Sequence, residues 1–566
     1  MCIRDSLVVL GSLPGLQVWL TREVINRLNA VLSSPDTVGT NAFVWIGCLG
    51  GVFLLDVIGR RVAGVVKSTV AELSQDHARW IVQGKAASLD LSQFQQADYY
   101  NRWFRAARQA GSRPAALLES IGTILQSSIA VLGISVVLVQ YEWWLPFVLG
   151  ASLLPTLAFT VHHGRNFNRW RRKVTPLERL RGYLDQILTV PEAASEVRLY
   201  GLGDRFRRRS RDFGDEIRKQ RLALQWAEAR GAISAAMLGF AALAVLMIQA
   251  ISAAVGGTLT LGDLGLFYAA LTQGLTAMRR IVEGLGQVYQ NAMFFGDLVE
   301  FLELQPRMKD GQETIESVAE SLELKDVTFR YQAGDEPVLS SFNLTVAAGK
   351  TIALVGDNGA GKTTVTKLLT RLFDVESGAV LVDGNDVRQL RLHSLRRLFT
   401  VVPQEPVRYQ ETLADNIRMA GRPGLDDEQS VEEAVKFAGV DQFFDQLNAG
   451  LDTLLGFRFG ETELSGGQWQ RVALARLWYR NAPVIILDEP TSHMDSWAES
   501  DWLDRFTSFA QGRTVIMITH RFTTAMRADT IHVMKSGKIV ESGSHEELVA
   551  KGGSYASSWK RQVEGV

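Results

Sequence analysis

The stretch TIALVGDNGAGKTT, residues 351–364, decides how the second half of this chain folds. An apolar strand pattern runs into a glycine-rich loop, and a helix pattern, VTKLLTRLF, follows it. The loop has the spacing GxxxxGK[ST], in which backbone N–H groups curl around a phosphate while the lysine and the following hydroxyl serve the outer phosphates and Mg²⁺. The stretch therefore predicts an α/β domain with a nucleotide-binding loop. The loop residues are Gly356, Asp357, Asn358, Gly359, Ala360, Gly361, Lys362, Thr363 and Thr364.

Two further apolar runs end in polar residues. VIILDEP, residues 484–490, is typical of a strand buried in a parallel sheet, and it ends in Asp488 and Glu489. A lone acid there is usually a helix cap, but after a phosphate loop we expect Asp488 to hold the metal ion through water and Glu489 to polarise the attacking water. TVIMITH, residues 514–520, places His520 at a strand's carboxyl end, where open α/β sheets bind ligands. A contact with the γ-phosphate is the favoured interpretation over a structural histidine.

A second candidate anion site lies in ELSGGQWQR, residues 463–471. A serine and two glycines precede a helix pattern, and the free N–H groups of a helix N-terminus attract anions. Because the chain already has a phosphate loop, this second site requires an explanation.

Together these motifs resemble the nucleotide-binding domain of the ATP-binding cassette (ABC) family, over essentially all of residues 321–566. LSGGQ is similar to that family's signature motif, and its spacing from the acidic pair fits. The resemblance assigns Gln404 in VVPQE to the Q-loop, with a catalytic and metal-binding role, Ser492 to Asp495 to the D-loop, His520 to the switch histidine and Tyr331 to adenine stacking. His493 and Met494 depart from the D-loop pattern. The remaining nucleotide contacts that the resemblance implies are Ser465, Gly466, Gly467, Gln468 and Asp495.

The same resemblance explains the second anion site. In this family the signature motif completes the ATP site of the other subunit, so one chain carries two half-sites and must dimerise to hydrolyse ATP. A symmetric homodimer is the simplest arrangement, because every catalytic position is present in the one chain. A heterodimer with a degenerate partner is the alternative.

The first half of the 566-residue chain has a different composition. Lysine and arginine are missing from residues 28–59, 114–164 and 231–278, and they are frequent between these spans. A bilayer crossing needs about 20 apolar residues, and basic segments stay on the cytoplasmic side. We therefore predict six membrane helices, against the alternative of a soluble helical domain with an apolar core. The apolar runs are residues 7–26, 43–59, 117–139, 145–161, 232–255 and 261–278.

Six membrane helices ahead of one cassette resemble the half-transporters of the ABC exporter class. We predict a transmembrane domain over residues 1–305 with a truncated natural N-terminus, a linker over 306–320 and a cassette over 321–566. Residues 67–113 and 165–230 are predicted to continue the membrane helices into the cytoplasm. Within them, residues 94–104 and Glu196 to Gly201 resemble the two coupling helices, and solvated basic faces are the alternative.

The resemblance implies ATP-driven export by alternating access across the cytoplasmic, or inner, membrane, with ATP and Mg²⁺ as cofactors. An amphipathic substrate is expected, namely a peptide, a lipid or a drug, in contact with membrane lipid and without a nucleic-acid partner; the net charge of −1 excludes nothing. The alternatives are an importer or ATP-gated channel on the same scaffold, or a soluble cassette ATPase. Arg279, Arg280 and Glu283 either line the substrate cavity or snorkel to the headgroups.

Overall fold

A computed structural model describes most of the chain. The residues outside the description are 1–2, 34–39, 111–112, 152–153, 257–258, 333–335, 422–427, 461, 492–493, 495 and 565–566. By compactness the chain forms two units. One comprises Met1–Leu89 and Phe94–Gln305, and the other comprises Asp90–Gln93 and Pro306–Val566.

The chain up to residue 305 is helical. Its helices are α1 (Ile3–Ser33), α2 (Thr40–Ser88), α3 (Leu91–Phe94), α4 (Ala97–Ala110), α5 (Arg113–Val139), α6 (Leu145–Ala151), α7 (Leu154–Thr189), α8 (Pro191–Leu199), α9 (Gly203–Val255) and α10 (Leu261–Leu302). α10 packs along α5 and α1, and α7 packs along α9. Each predicted crossing falls within a helix or a pair of consecutive helices.

Among the described residues, three helices are long and apolar enough to cross a membrane by length and composition, namely α2, α5 and α9. The other predicted crossings, in α1, α7 and α10, are helical but more polar. α1 and α10 bury polar side chains such as Gln17 and Asp263, which are 5% and 6% exposed. Polar side chains that face neighbouring helices lower the mean hydropathy without exposing charge to lipid.

The predicted cytoplasmic continuations are also confirmed as helix. α2 has 49 residues and α9 has 53, which is more than twice the length of a crossing. Within the bilayer, helix is required because every backbone polar group must be satisfied within the segment, and the same helices continue beyond the crossing.

A polar network around Asp263 holds one end of the bundle, which is the outer end if the basic segments face the cytoplasm. Asp263 caps α10 by accepting a hydrogen bond from the N–H of Thr260 at 3.0 Å. Its carboxylate also accepts hydrogen bonds from the Arg22 Nε at 2.9 Å and from the Tyr141 hydroxyl at 2.6 Å. The network thus joins α1 and α10 to the turn that follows α5.

We predict that Asp263→Ala destabilises this unit by about 3 kcal/mol, because it leaves Arg22 and Tyr141 without their acceptor. The apparent Tm of the protein in detergent should fall by about 5 °C or more. Asp204→Ala is the matched control, because Asp204 is 80% exposed in its pair with Arg207. An equal fall in Tm for both variants would show that the network stabilises the unit no more than an exposed ion pair does.

The second unit is an α/β domain. Its strands are β1 (Ser321–Phe329), β2 (Leu339–Ala347), β3 (Thr351–Gly356), β4 (Ser377–Val382), β5 (Asn385–Asp386), β6 (Phe399–Val402), β7 (Val484–Asp488), β8 (Thr514–Ile518), β9 (Thr530–Lys535) and β10 (Lys538–Gly543). Its helices are α11 (Lys362–Leu369), α12 (Leu392–Arg397), α13 (Leu413–Arg418), α14 (Glu428–Ala438), α15 (Gly466–Arg480), α16 (Ser496–Ala510), α17 (Phe522–Ala525), α18 (His545–Lys551) and α19 (Ser554–Glu564). Short 3₁₀ helices cover Val440–Gln446 and Gly450–Asp452.

The main sheet has the strand order β10-β9-β3-β8-β7-β6, in which β9, β3, β8, β7 and β6 are parallel and β10 is antiparallel. Alternate residues enter the two cores on its faces: Val484 and Ile486 of β7 join one core, and Ile485 and Leu487 join the other. Because both faces are buried, these strands read as continuous apolar runs. A second, antiparallel sheet has the order β2-β1-β4-β5.

Residues 306–320, the predicted linker, are hydrogen-bonded to the second unit. The buried Arg371 guanidinium donates to the Lys309 carbonyl at 2.8 Å, and the Arg391 N–H donates to the Glu313 carbonyl at 2.7 Å. The Asp383 carboxylate accepts from the N–H of Ala319 at 2.8 Å. The segment is therefore fixed to the domain that follows it.

Candidate functional site

The glycine-rich loop runs from the end of β3 to the start of α11. Gly361 precedes the helix at φ 100°, a left-handed conformation that favours glycine. Lys362 and Thr363 occupy the first turn of α11. Their backbone N–H groups have no acceptor one turn earlier in the helix, so they are available to an anion.

Lys362 and Asp488 are both buried, and their opposite charges are close enough to affect each other. The Lys362 ammonium donates to the carbonyls of Gly356 at 2.7 Å and Asp357 at 3.0 Å, and burial lowers its pKa against the raising effect of nearby carboxylates. Burial likewise raises the pKa of Asp488, while the Thr363 hydroxyl, which donates to Asp488 Oδ2 at 2.8 Å, opposes that rise. A cationic ligand beside Asp488 would favour its ionised form.

Glu489 lies immediately after β7 in a backbone conformation that is rare for a residue with a side chain. Its φ is 51°, and its N–H donates to the Ile518 carbonyl at 2.9 Å. Its carboxylate bridges two other predicted residues. Oε2 accepts from Gln404 Nε2 at 2.9 Å, and Oε1 lies 3.2 Å from His520 Nδ1.

These groups surround a cavity of about 540 Å³. The strand order explains the convergence. The loop, His520, Glu489 and Gln404 follow β3, β8, β7 and β6 respectively, and these are four adjacent parallel strands. The predicted residues that line the cavity are Tyr331, Asn358, Gly359, Gly361, Lys362, Thr363, Thr364, Gln404, Asp488 and Glu489. Gly356, Asp357 and Ala360 form the rest of the loop.

Tyr331, the predicted adenine-stacking residue, is held at the wall of this cavity. Its ring packs edge-on against Phe373 at 5.4 Å, and the Lys367 ammonium lies 5.0 Å from its centroid. Its hydroxyl is 3.0 Å from the Thr364 hydroxyl. The ring therefore has a fixed position beside the loop.

The signature residues are not among the described residues that line this cavity. Ser465 begins α15 in a capping box with Gln468: Ser465 Oγ accepts the Gln468 N–H at 3.3 Å, and Gln468 Oε1 accepts the Ser465 N–H at 2.8 Å. Gly466 and Gly467 form the first turn of the helix. The sequence places a second anion-attracting helix start here, apart from the loop site.

Part of the predicted D-loop lies outside the described residues, including Ser492, His493 and the predicted nucleotide contact Asp495. Met494 is described and is 8% exposed. It belongs to the core beneath the sheet, which explains an apolar side chain at this position.

Sequence reasoning missed Glu499 of α16, which is 7% exposed. Its carboxylate accepts from the hydroxyls of Thr491 at 2.9 Å and Thr524 at 3.0 Å, and from Arg521. Thr491 follows the acidic pair by two residues, and Arg521 follows His520 directly. Glu499 therefore ties together the two loops that present Glu489 and His520. The only signal in the sequence is a carboxylate among the apolar positions of SWAESDWLDRF.

The predicted coupling segments lie in the first unit. Residues 94–104 span the end of α3 and the start of α4, where Tyr99 is buried against Phe94 at 4.6 Å. Glu196 to Gly201 cover the end of α8, where Leu199 and Tyr200 are 76% and 66% exposed. Their roles stay predictions.

Comparisons with known proteins identify the family of this chain. A family model described as ABC transporter matches residues 339–492. The chain is 31% identical over 447 residues to an ATP-dependent lipid A-core flippase of Vibrio parahaemolyticus, a match that covers 78% of this chain and 75% of that protein. It is 28% identical to the subtilin transport ATP-binding protein SpaT of Bacillus subtilis, over 97% of this chain and 89% of that one. A solved bacterial Atm1-family ABC exporter with ATP bound superposes with a TM-score of 0.84 at 25% identity, covering 98% and 97% of the two chains.

The fold, the phosphate loop and the signature motif therefore define a half-transporter with fused membrane and ATPase domains. The chain belongs to the ABC transporter family and is of the exporter type. It couples ATP hydrolysis to export, as a multi-pass inner-membrane protein whose ATPase domain is cytoplasmic. These relatives do not favour the alternatives of an importer, an ATP-gated channel or a soluble cassette ATPase. Half-transporters of this class act as dimers.

We predict that Glu499→Ala lowers the ATPase kcat by roughly tenfold or more, because small displacements of catalytic groups have large effects on rate. The KM for ATP should change less, since the residues of the phosphate loop do not contact Glu499 in its hydrogen-bonded cluster. Asp501→Ala on the same helix is the control, because Asp501 is 58% exposed. A purely structural Glu499 would lower the amount of folded protein and leave the kcat per folded site intact.

Proposed function

We propose that this chain hydrolyses ATP between the phosphate loop of one subunit and the Ser465 signature of a second, identical subunit, and thereby exports an amphipathic substrate. The observation that carries the proposal is the position of Glu489. Its carboxylate is held by Gln404 and His520 at the edge of the cavity that Lys362 and Thr363 line.

Each side chain has a role that follows from its place. Lys362 binds the β- and γ-phosphates, and Tyr331 packs on the adenine. Glu489 accepts a proton from the attacking water as general base, while His520 orients Glu489 and donates to the γ-phosphate. Gln404 donates to the Glu489 carboxylate and lines the cavity where the γ-phosphate would lie. Binding of nucleotide would therefore change the contacts of Gln404.

The residues fit a magnesium ion as well. Thr363 Oγ1 and Asp488 Oδ2 lie 2.8 Å apart on the cavity wall, and hydroxyl, carboxylate and amide oxygens are the ligands that Mg²⁺ prefers. Thr363 would bind directly, Asp488 through water, and Gln404 through its amide oxygen. When bound, Mg²⁺ would supply positive charge that neutralises the negative charge developing on the phosphates during hydrolysis.

The partner is a second copy of this chain. One chain supplies every predicted catalytic residue and one signature, and two copies related by a twofold axis supply two complete sites. The Ser465 hydroxyl accepts the Gln468 N–H, and its own proton remains available for a phosphate of the facing loop.

Transport follows from the difference in ATP affinity between two states of the dimer. Two bound ATP molecules favour the closed cassettes, and hydrolysis releases them. The substrate is an amphiphile that enters from the inner leaflet or the cytoplasm. The relatives named for a lipid A-core flippase and for subtilin transport both act on molecules that combine polar and apolar parts.

We predict that Glu489→Gln binds ATP but hydrolyses it at least about 100-fold more slowly, because the general base is lost. ATP-dependent accumulation of labelled lipid, peptide and dye substrates in inverted membrane vesicles should also disappear. Glu376→Gln, at a half-exposed glutamate of the same domain, is the control. Near-normal hydrolysis by Glu489→Gln would show that Glu489 is not the general base. Accumulation only in right-side-out vesicles would show import instead of export.

If each ATP site is shared between two identical subunits, a subunit with a defective phosphate loop and a subunit with a defective signature should together form one intact site. In a Glu489→Gln background, Lys362→Ala and Ser465→Arg each remove a different half of every site, so neither homodimer should retain ATP. A heterodimer isolated through two affinity tags contains one intact site and should retain about one ATP per dimer. No retention in that heterodimer would contradict site sharing, and failure of the two tagged copies to associate would contradict the homodimer.

A further inference from the structure

A second cavity lies within the first unit, among α1, α2, α5 and α10. Its volume is about 300 Å³, which suits the polar end of an amphiphile rather than a whole lipid. It lies toward the cytoplasmic side. Asp56 is roughly 24 Å of helix beyond the outer end of α2 at Thr40, and Arg280 is roughly 28 Å beyond Leu261 of α10.

Among the described residues that line this cavity there is one carboxylate, and that carboxylate is already satisfied. Asp56 is 8% exposed and lines the cavity with Arg60. Arg60 Nε donates to Asp56 Oδ1 at 2.8 Å and its Nη2 contacts Oδ2 at 2.8 Å, so the pair is bidentate. Together these two side chains contribute no net charge.

Gln17 supplies an unused donor. This α1 residue is 5% exposed and lines the cavity, yet its Nε2 has no hydrogen-bond partner among the described residues. A buried amide without a partner is unfavourable, and buried polar groups in native proteins nearly always have one. The Nε2 atom itself is closed to solvent, so a turn of the Gln17 side chain toward the cavity would offer this donor to an acceptor on a ligand.

Arg280 leaves the cavity with a net positive charge. It lines the wall and takes part in no ion pair within the described part of the chain, whereas neither the neighbouring Arg279 nor Glu283 lines the cavity. Successive residues of a helix point about 100° apart, so only one of the two arginines can face this space. The amides of Gln126 and Gln273 add further donors.

The wall also has apolar side chains, among them Leu10, Pro14 and Phe53, and the hydroxyl side chains Ser127, Thr272 and Thr276. Phe53 is 50% exposed, and Val57, one helical turn further along α2, is 56% exposed. Cationic and amide donors next to an apolar surface match a molecule with an oxyanion at one end and hydrocarbon at the other.

We propose that each half of the dimer holds the phosphate or carboxylate headgroup of an anionic amphiphile in this cavity, with Gln17, Arg60 and Arg280 as the recognition residues. The inference rests on the proposed export function, and it narrows the substrate class from any amphiphile to an anionic one. It also assigns two headgroup sites to each dimer, one inside each chain.

The test measures binding of short-chain phosphatidic acid to the full-length protein in detergent without nucleotide, by native mass spectrometry and by titration. Phosphatidylcholine with the same chains serves as the comparison lipid. Wild-type protein should bind phosphatidic acid about tenfold or more tightly, because its phosphate monoester has a net negative charge, whereas the choline cation compensates the phosphate charge of phosphatidylcholine. Arg280→Gln and Gln17→Leu should each weaken that binding by about tenfold, while the control Arg279→Gln stays within about twofold.

Equal affinity for the two lipids, or equal losses in Arg279→Gln and Arg280→Gln, would overturn the proposal. Because Arg280 is exposed, its variant remains informative even if Gln17→Leu does not fold. Displacement of phosphatidic acid by millimolar inorganic phosphate would assign the site to free oxyanions, and resistance to it would assign the site to a lipid headgroup. Normal lipid binding by Glu489→Gln would separate this site from the ATPase mechanism.

Discussion

The carboxylate of Glu489 is the contact on which the catalytic arrangement depends. It joins Gln404 and His520, which come from the ends of two other strands, beside the loop that follows a third. The order of the parallel sheet alone makes this possible, because β3, β8, β7 and β6 are neighbours and all end at the same edge. The rare φ of Glu489 fits this interpretation, since strained backbone persists where the surrounding structure determines it.

Burial has opposite consequences in the two units. In the cassette it brings a lysine, an aspartate and phosphate-binding N–H groups into a cavity where their interactions are stronger than in water. In the membrane unit it makes each polar side chain costly, so the side chains that are present need partners. Asp263 and Asp56 have their partners within the chain, at opposite ends of the helices. Among the described residues, Gln17 Nε2 has no hydrogen-bond partner and Arg280 has no ion pair, and both residues line the cavity, which is why we assign them to the proposed headgroup site.

The sequence was sufficient to predict those motifs whose function depends on the spacing of residues along the chain. The phosphate loop, the acidic pair and the strand that ends at His520 were predicted because each lies at the end of an apolar run. Crossings in α7 and α10 were predicted from the absence of lysine and arginine, and the one in α1 from its apolar run, although these three helices are less apolar than α2, α5 and α9.

Tertiary contacts could not be predicted in this way. Glu499 contacts residues up to 25 positions away through the fold, and nothing local distinguishes it from the exposed Asp501 two residues later. Arg279 and Arg280 are equally basic in the sequence, and only the rotation of α10 places one of them on the cavity wall. The roles of the signature serine and of Tyr331 came from family resemblance and remain predictions.

An exporter with ATP sites in one unit and a headgroup site in the other must obey thermodynamic reciprocity. If ATP changes the affinity of the dimer for the anionic headgroup by some factor, the headgroup changes the affinity of the dimer for ATP by the same factor. The helices that form the cavity, α1, α2, α5 and α10, also pack on one another, so a shift in their packing changes the distances among Gln17, Arg60 and Arg280. Even a modest separation of those donors weakens the binding of an oxyanion, because charged hydrogen bonds need short contacts. Release of the substrate therefore requires only that these helices rearrange, without a dedicated residue to expel it.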